Sequence, residues 1–255
     1  MSGAELEKEG MVQFPAIIGG TVPVFNVEGL RKGDLKITGP VLADMFLGKI
    51  NKWNDPRIAE LNPGKKLPDA AITVVHRADG SGTTFNWTDY LSSVSTDWLN
   101  TVGRGAAVKW PAPTSVGGKG NEGVAGVISN TPGAIGYLNQ AFVKGKIRAA
   151  ALQNRSGAFV KPNLASGSAA LNNIKLNAML AGEDANPAGA GSYPISTLTW
   201  ILAYQKGNGA KAATIQKAMD YLLGPAQNRA DDLGYVPLKG SVLTNARKAI
   251  DRIGK

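Results

Sequence analysis

Ala71-Ile72-Thr73-Val74-Val75-His76-Arg77-Ala78-Asp79-Gly80-Ser81-Gly82-Thr83-Thr84-Phe85 is the stretch in which the architecture of this chain can be read. The run Ala71 to His76 is short, apolar and rich in β-branched residues, the pattern of a buried strand. After Arg77-Ala78-Asp79-Gly80-Ser81-Gly82 the pattern turns helical, with Phe85, Tyr90 and Leu91 on a partly apolar face. A helix start offers N–H groups without intrahelical acceptors and the positive end of a dipole, and glycine lets the backbone approach an anion closely. Ser81 and Thr83 add hydroxyls. Arg77 carries a planar fork suited to two oxygens of a tetrahedral oxyanion, and Asp79, two residues on, is placed to hold that fork. The same residues also read as an ordinary capped turn, because Ser and Asp stabilise helix starts for local reasons. At this point both readings stand.

Outward from this turn, extended and helical patterns alternate. Phe14 to Val27 is a β-branched run punctuated by Pro15, Gly19-Gly20 and Pro23, one or two extended segments crossing a hinge. Gly39-Pro40 opens a short helix with Val41, Leu42, Met45 and Phe46 at helical spacing, ending near Gly48. Gly133 to Leu138 and Ile195 to Ala203 read as strands, separated by a Gly/Asn/Ala-rich region of uncertain order. Lys211 to Leu223 reads as an amphipathic helix ending at Gly224. Pro225 starts another, and Ser241 is expected to cap a last basic helix through Ile253. The fold class is α/β.

The chain has 255 residues, no cysteine and one histidine, which excludes disulfides, thiol chemistry, Cys-based zinc sites and sites built on several imidazoles. Its 28 Lys+Arg against 19 Asp+Glu give +9, a balance that favours an anionic partner without choosing between phosphate and nucleic acid. Met1-Ser2-Gly3-Ala4-Glu5-Leu6-Glu7-Lys8 carries no signal-peptide pattern, and no apolar run is long enough to span a bilayer.

Other motifs weigh less. Gly118, Gly120 and Gly123 spell G-x-G-x-x-G, but Lys109-Trp110-Pro111-Ala112-Pro113 ahead of it is too proline-rich for a good central strand and no acidic residue stands near position 140. A flexible helix-entry loop, with Lys119 adding positive potential, is the expectation there. Gly80-Ser81-Gly82 is not a nucleophile elbow, since Asp79 and Thr83 occupy the places where that pattern has glycines. His76 reads as an ordinary strand residue. Asp231-Asp232 and Glu183-Asp184 read as solvated charges, so no metal site is expected. Trp53, Trp87, Trp98, Trp110 and Trp200 are scattered, and Arg247, Lys248, Arg252 and Lys255 read as a solubilising helix face.

Several motifs in order give the chain a resemblance that covers it from about Gly10 to the C-terminus. They are Gln13-Phe14-Pro15-Ala16-Ile17-Ile18-Gly19-Gly20, Leu47-Gly48-Lys49-Ile50 with Trp53-Asn54-Asp55-Pro56, Leu61-Asn62-Pro63-Gly64, and above all His76 to Phe85. Val108-Lys109-Trp110-Pro111, Gly117-Gly118-Lys119-Gly120-Asn121, Pro132 to Tyr137 and Tyr193-Pro194-Ile195 continue the series. The sequence resembles the phosphate-binding receptors of high-affinity phosphate ABC transporters.

The resemblance implies a periplasmic binding protein type II-like fold, two α/β lobes joined by a two-strand hinge and closing on one dehydrated phosphate. Residues 1–19 and 193–255 would belong to the first lobe, incomplete here, and residues 20–192 to the second. Arg77, Ser81, Gly82 and Thr83 match the family's phosphate contacts on the second lobe, and Asp79 matches the partner of the arginine. The implied protein is periplasmic, is not an enzyme and needs no cofactor. It is a monomer at full length, binds phosphate rather than nucleic acid, and delivers it to the permease subunits of the importer.

The family's other half-site, a Thr-Phe turn, a serine at a second helix start and an aspartate that accepts the phosphate proton, has no counterpart in this sequence, as if Met1 were an internal methionine. Losing three or four hydrogen bonds to a charged ligand removes about 5 kcal/mol or more, a weakening on the order of a thousandfold to ten-thousandfold. The 255-residue polypeptide alone is therefore expected to bind phosphate poorly, to discriminate weakly against sulfate, and to self-associate through an unpaired sheet edge. The alternatives are a phosphoryl-transfer enzyme using the same anion loop, for which no nucleophile or metal cluster is found, and a basic nucleic-acid-binding protein.

Overall fold

A computed structural model describes residues 3–31, 33–174, 176, 177, 180 and 184–254. Met1, Ser2, Glu183 and Lys255, each given a reading above, lie outside the described residues. In chain order the elements are α1 (Gly3–Lys8), β1 (Met11–Asn26), β2 (Lys36–Ile37), α2 (Gly39–Phe46), α3 (Pro56–Ala59), β3 (Thr73–Arg77), α4 (Gly82–Val94), α5 (Thr96–Thr101) and β4 (Ser115–Gly118). There follow α6 (Gly120–Asn130), β5 (Ala134–Asn139), β6 (Arg148–Ala149), β7 (Ala151–Gln153), β8 (Phe159–Val160), α7 (Leu164–Leu171), β9 (Ser196–Tyr204), α8 (Ala212–Leu222) and α9 (Gly240–Ile250). The chain divides into two compact units. One comprises Met1–Gly19, Ile174–Asp184 and Thr197–Lys255, the other Gly20–Asn173 and Ala185–Ser196.

The larger unit carries the turn of interest. Its sheet has the order β4-β3-β5-β1-β6. β3 lies between β4 and β5 and runs parallel to both, with Arg77 opposite Gly118 and Val75 opposite Gly136. β1 closes the parallel part with an antiparallel pairing, Thr21 opposite Asn139 through Asn26 opposite Ala134. Thr73-Val74-Val75 has the β-branched composition that suits a strand covered on both faces, and Val74 and Val75 are buried. A smaller sheet, β2-β7-β8, pairs Lys36-Ile37 with two strands from the stretch that the sequence leaves of uncertain order. There Asn163 and Ser166 cap α7 reciprocally, a pairing that satisfies two otherwise unbonded N–H groups. The core holds Trp53, Trp87, Trp98, Tyr90 and Tyr137, all fully buried, and burying each large apolar side chain contributes roughly 1.5–3 kcal/mol.

The smaller unit is built on the Met11–Gly19 part of β1, to which β9 pairs. Ile18 and Val236 exchange N–H···O bonds of 3.1 and 3.0 Å, and the Gln205 N–H donates to Gly10 O at 2.8 Å. Gln227 fastens the interior, its Nε2 donating to Ala16 O at 2.9 Å and its Oε1 accepting from the Leu238 N–H at 2.8 Å. Ala246, Ala249 and Ile250 of α9 are buried, whereas Leu202 and Tyr204 of β9 are exposed.

Three expectations shift. Ile174–Asp184, assigned above with the run 20–192, groups with the smaller unit, and residues 193–196, assigned above to the first lobe, group with the larger one; within the smaller unit Trp200 Nε1 donates to Leu180 O at 3.0 Å. Ser241 does not cap the last helix: α9 begins at Gly240, and Lys239 occupies the cap position without a side-chain bond. The strand expected from Ile195 begins at Ser196, because Ile195 has φ +59°, a left-handed value outside the β region.

Candidate functional site

The last residue of β3 and the first turn of α4 bring the sequence-selected residues together in one unit. Ser81, extended at φ −148° and ψ 132°, is the N-cap of α4, its Oγ accepting from the Thr83 N–H at 3.1 Å and the Thr84 N–H at 3.4 Å. Its own N–H donates to Ala106 O at 2.9 Å, which fixes the turn against the 103–107 loop. With two N–H groups directed at its oxygen, the Ser81 hydroxyl still has its own proton to donate. The Gly82 N–H lies in the first helical turn, where no intrahelical acceptor exists, and Gly82 is exposed. Thr83 is half-buried and also stands in that turn. The capped-turn reading and the anion-site reading are thus compatible: the cap takes part of the donor capacity and orients the remainder.

Arg77 is nearly covered, its side chain 11% exposed against 33% for Asp79. Its Nε donates to Asp79 Oδ1 at 2.8 Å and its Nη2 to Asp79 Oδ2. This side-on pairing consumes two of the five guanidinium N–H groups, so both hydrogens of Nη1 and one of Nη2 remain for another acceptor. Asp79 Oδ1 also accepts from the Gly120 N–H at 3.0 Å. The guanidinium, and after it the Gly120 N–H, hold the Asp79 carboxyl well below the usual carboxylate range.

A carboxylate with a depressed pKa stabilises the fold wherever it is ionised in both states. That contribution is present above its unfolded value of about 4 and is lost as pH falls towards the folded value. Asp79→Asn is accordingly expected to lower the thermal midpoint by a few degrees at pH 7, with the gap to the parent chain narrowing below about pH 4 and closing in stronger acid. Melting curves across that range check it, and a gap of constant size would contradict it.

The second glycine-rich turn is the part whose role the sequence does not disclose. β4 runs parallel beside β3 and leads through Lys119 into α6, so a second strand-turn-helix unit ends next to the first. Gly118 packs against the start of α6 so closely that a Cβ there would meet Val124 N at 2.5 Å and Gly123 C at 2.6 Å. Gly120 holds φ +70°, a conformation that suits glycine, and presents its N–H to Asp79. The G-x-G-x-x-G string thus supports the carboxylate that orients Arg77. Lys119 is exposed beside it.

His76 is occupied structurally. Its Nδ1 lies 2.9 Å from Arg77 O, which can only accept, so Nδ1 carries the proton. Its ring stacks on Trp110 with centroids 4.8 Å apart. Asp232 accepts from Arg229 on the surface, as a solvated charge does. Arg77, Ser81, Gly82 and Thr83 thus lie at one strand end and the helix start that follows it, with Asp79 turned to the arginine.

Comparison with known proteins bears on the anion-site reading. The family described as "PBP superfamily domain" matches residues 1–226. The phosphate-binding protein PstS of Pasteurella multocida is 46% identical over 254 residues, covering 95% of this chain and 71% of that protein. PstS of Xylella fastidiosa is 43% identical over 246 residues, covering 93% of this chain and 66% of its own length. Among solved structures, a high-affinity periplasmic phosphate-binding protein bound with phosphate superposes with a TM-score of 0.74 at 20% identity, over 97% of this chain and 76% of that one. A phosphate-binding protein from Stenotrophomonas maltophilia gives 0.73 at 18%, over 97% and 76%.

Proposed function

The chain belongs to the PBP superfamily and, within it, to the PstS phosphate-binding proteins, and from that premise we propose that it binds inorganic phosphate for an ABC-type importer. It works in the periplasm as a monomeric receptor that hands phosphate to the permease subunits, and it does not turn its ligand over. The observation that carries this reading is the side-on Arg77–Asp79 pair, which leaves three guanidinium N–H groups unused five residues before the capped start of α4 at Gly82. Arg77 takes two phosphate oxygens. The Ser81 hydroxyl, the Gly82 N–H and the Thr83 hydroxyl take the others. Asp79 stays on Arg77.

The one carboxylate among these groups is already held by Arg77 and Gly120, and the Ser81 oxygen already accepts two N–H groups. Phosphate at neutral pH retains a proton that wants an acceptor, and sulfate has none. Calorimetric titration of the 255-residue chain is therefore expected to show weak saturable binding of phosphate, weaker than micromolar, with sulfate competing at similar concentration. Submicromolar affinity or firm exclusion of sulfate would mean that a further acceptor acts, and no saturable heat with phosphate at all would defeat the proposal. Incubation with a chromogenic phosphate ester tests the receptor role directly, since sustained release of phosphate would make the protein an enzyme.

A further inference from the structure

We infer that the Tyr137 hydroxyl is a positioning group for the anion loop, setting the geometry of Arg77 and α4 from beneath without touching the ligand. Tyr137 lies on β5, adjacent to β3, and is fully buried. Its hydroxyl oxygen accepts from the Arg77 backbone N–H at 3.2 Å and lies 2.7 Å from Thr84 Oγ1. The phenol oxygen accepts from Arg77 and shares one hydrogen bond with the Thr84 hydroxyl, in which either oxygen can be the donor. One atom thus links the end of the strand that delivers Arg77 to the third residue of the helix that delivers Gly82 and Thr83.

The phenol cannot turn away. Its ring stacks on Trp87 at 4.9 Å and 18° and on Trp110 at 5.8 Å and 29°, and Trp110 in turn stacks on His76, one residue before Arg77. A rigid ring column therefore fixes the hydroxyl beneath the turn. Burial raises the Tyr137 pKa, so the hydroxyl stays protonated and able to donate at neutral pH. Donors preorganised in this way bind without first being ordered, and sub-ångström looseness in a supporting contact is enough to lose affinity.

The inference rests on the phosphate reading for its affinity arm and is independent of it for the other. Tyr137→Phe keeps the ring column and removes only the oxygen. Expected is a phosphate affinity about tenfold lower, the loss of roughly one hydrogen bond's worth of order, together with at least about tenfold faster hydrogen exchange at the Arg77 amide, measured by NMR without any ligand. Thr84→Val should reproduce the affinity loss and Thr84→Ser should restore it, because serine keeps the hydroxyl. The double variant Tyr137→Phe/Thr84→Val should be no worse than either single change.

A purely structural role would lower the melting temperature while leaving affinity and Arg77 exchange at parent values, and that outcome overturns the inference. If Tyr137→Phe does not fold, the Thr84 pair decides: equal phosphate affinity for Val and Ser overturns it. If the parent chain shows no phosphate binding, the functional reading has failed, and unchanged Arg77 exchange in Thr84→Val would still refute the positioning role.

Discussion

Replacing Arg77 with alanine is expected to cut phosphate affinity by roughly a thousandfold or to remove it from the measurable range. Hydrogen bonds to a charged partner contribute roughly 1.5–3 kcal/mol each, and the free face of this guanidinium offers at least two. The change also strips Asp79 of its cation, so a carboxylate that now faces Arg77 would stand uncompensated beside the incoming anion. Arg77→Lys separates the two effects, since it keeps a positive charge but not the fork that meets Asp79 on one edge and a ligand on the other. It should recover part of the loss and remain on the order of tenfold or more weaker than the parent chain. Titration calorimetry with phosphate measures both, with circular dichroism confirming the fold. An alanine variant within threefold of the parent would remove Arg77 from the site.

The second large effect belongs to Gly118. A methyl group there meets the backbone of Gly123 and Val124 at 2.5–2.8 Å, and backbone cannot rotate aside as a side-chain end can. Either α6 moves off β4 or the β3–β4 pairing yields, and overpacking of this kind costs about 3 kcal/mol. Gly118→Ala is expected to lower the melting temperature by about 6–10 °C in a chain of this size. It should weaken phosphate binding as well, because the Gly120 N–H leaves Asp79 when α6 shifts. Gly126→Ala is the internal control: it lies in the same helix, is exposed, and has no atom within 4 Å of the added carbon. It should stabilise by about 0.5–1 kcal/mol, the ordinary gain of alanine over glycine in a helix. Equal melting of the two variants would show that the Gly118 contact is not what holds α6.

Local chemistry was legible in the sequence. The strand at Val74-Val75, the helix start after Ser81, and the approach of Asp79 to Arg77 all follow from residues within about one turn of each other, and the structure has all three. What stayed hidden depends on pairing between distant segments. The Gly120 N–H is 41 residues from the carboxylate it meets, and the Tyr137 hydroxyl is 60 residues from the amide it accepts. Both come together only because β4 and β5 flank β3 in parallel, a neighbourhood that no local spacing encodes. The proline-rich approach to Gly117 argues against a central strand, and β4 is indeed the edge of its sheet, but an edge strand was sufficient to aim α6. Ser241 is the opposite case: a good cap residue that stands one position inside the helix, where its propensity has nothing to cap.

The Arg77–Asp79 pair has a consequence for release. Because the two side chains cancel one another's charge, the turn meets an anion with oriented dipoles more than with a surplus cation. A ligand held this way is recognised by the number and directions of its oxygens. When it leaves, the guanidinium still has its carboxylate, so departure strands no lone charge. A carrier that must give up its cargo at every cycle gains from a site already balanced when empty.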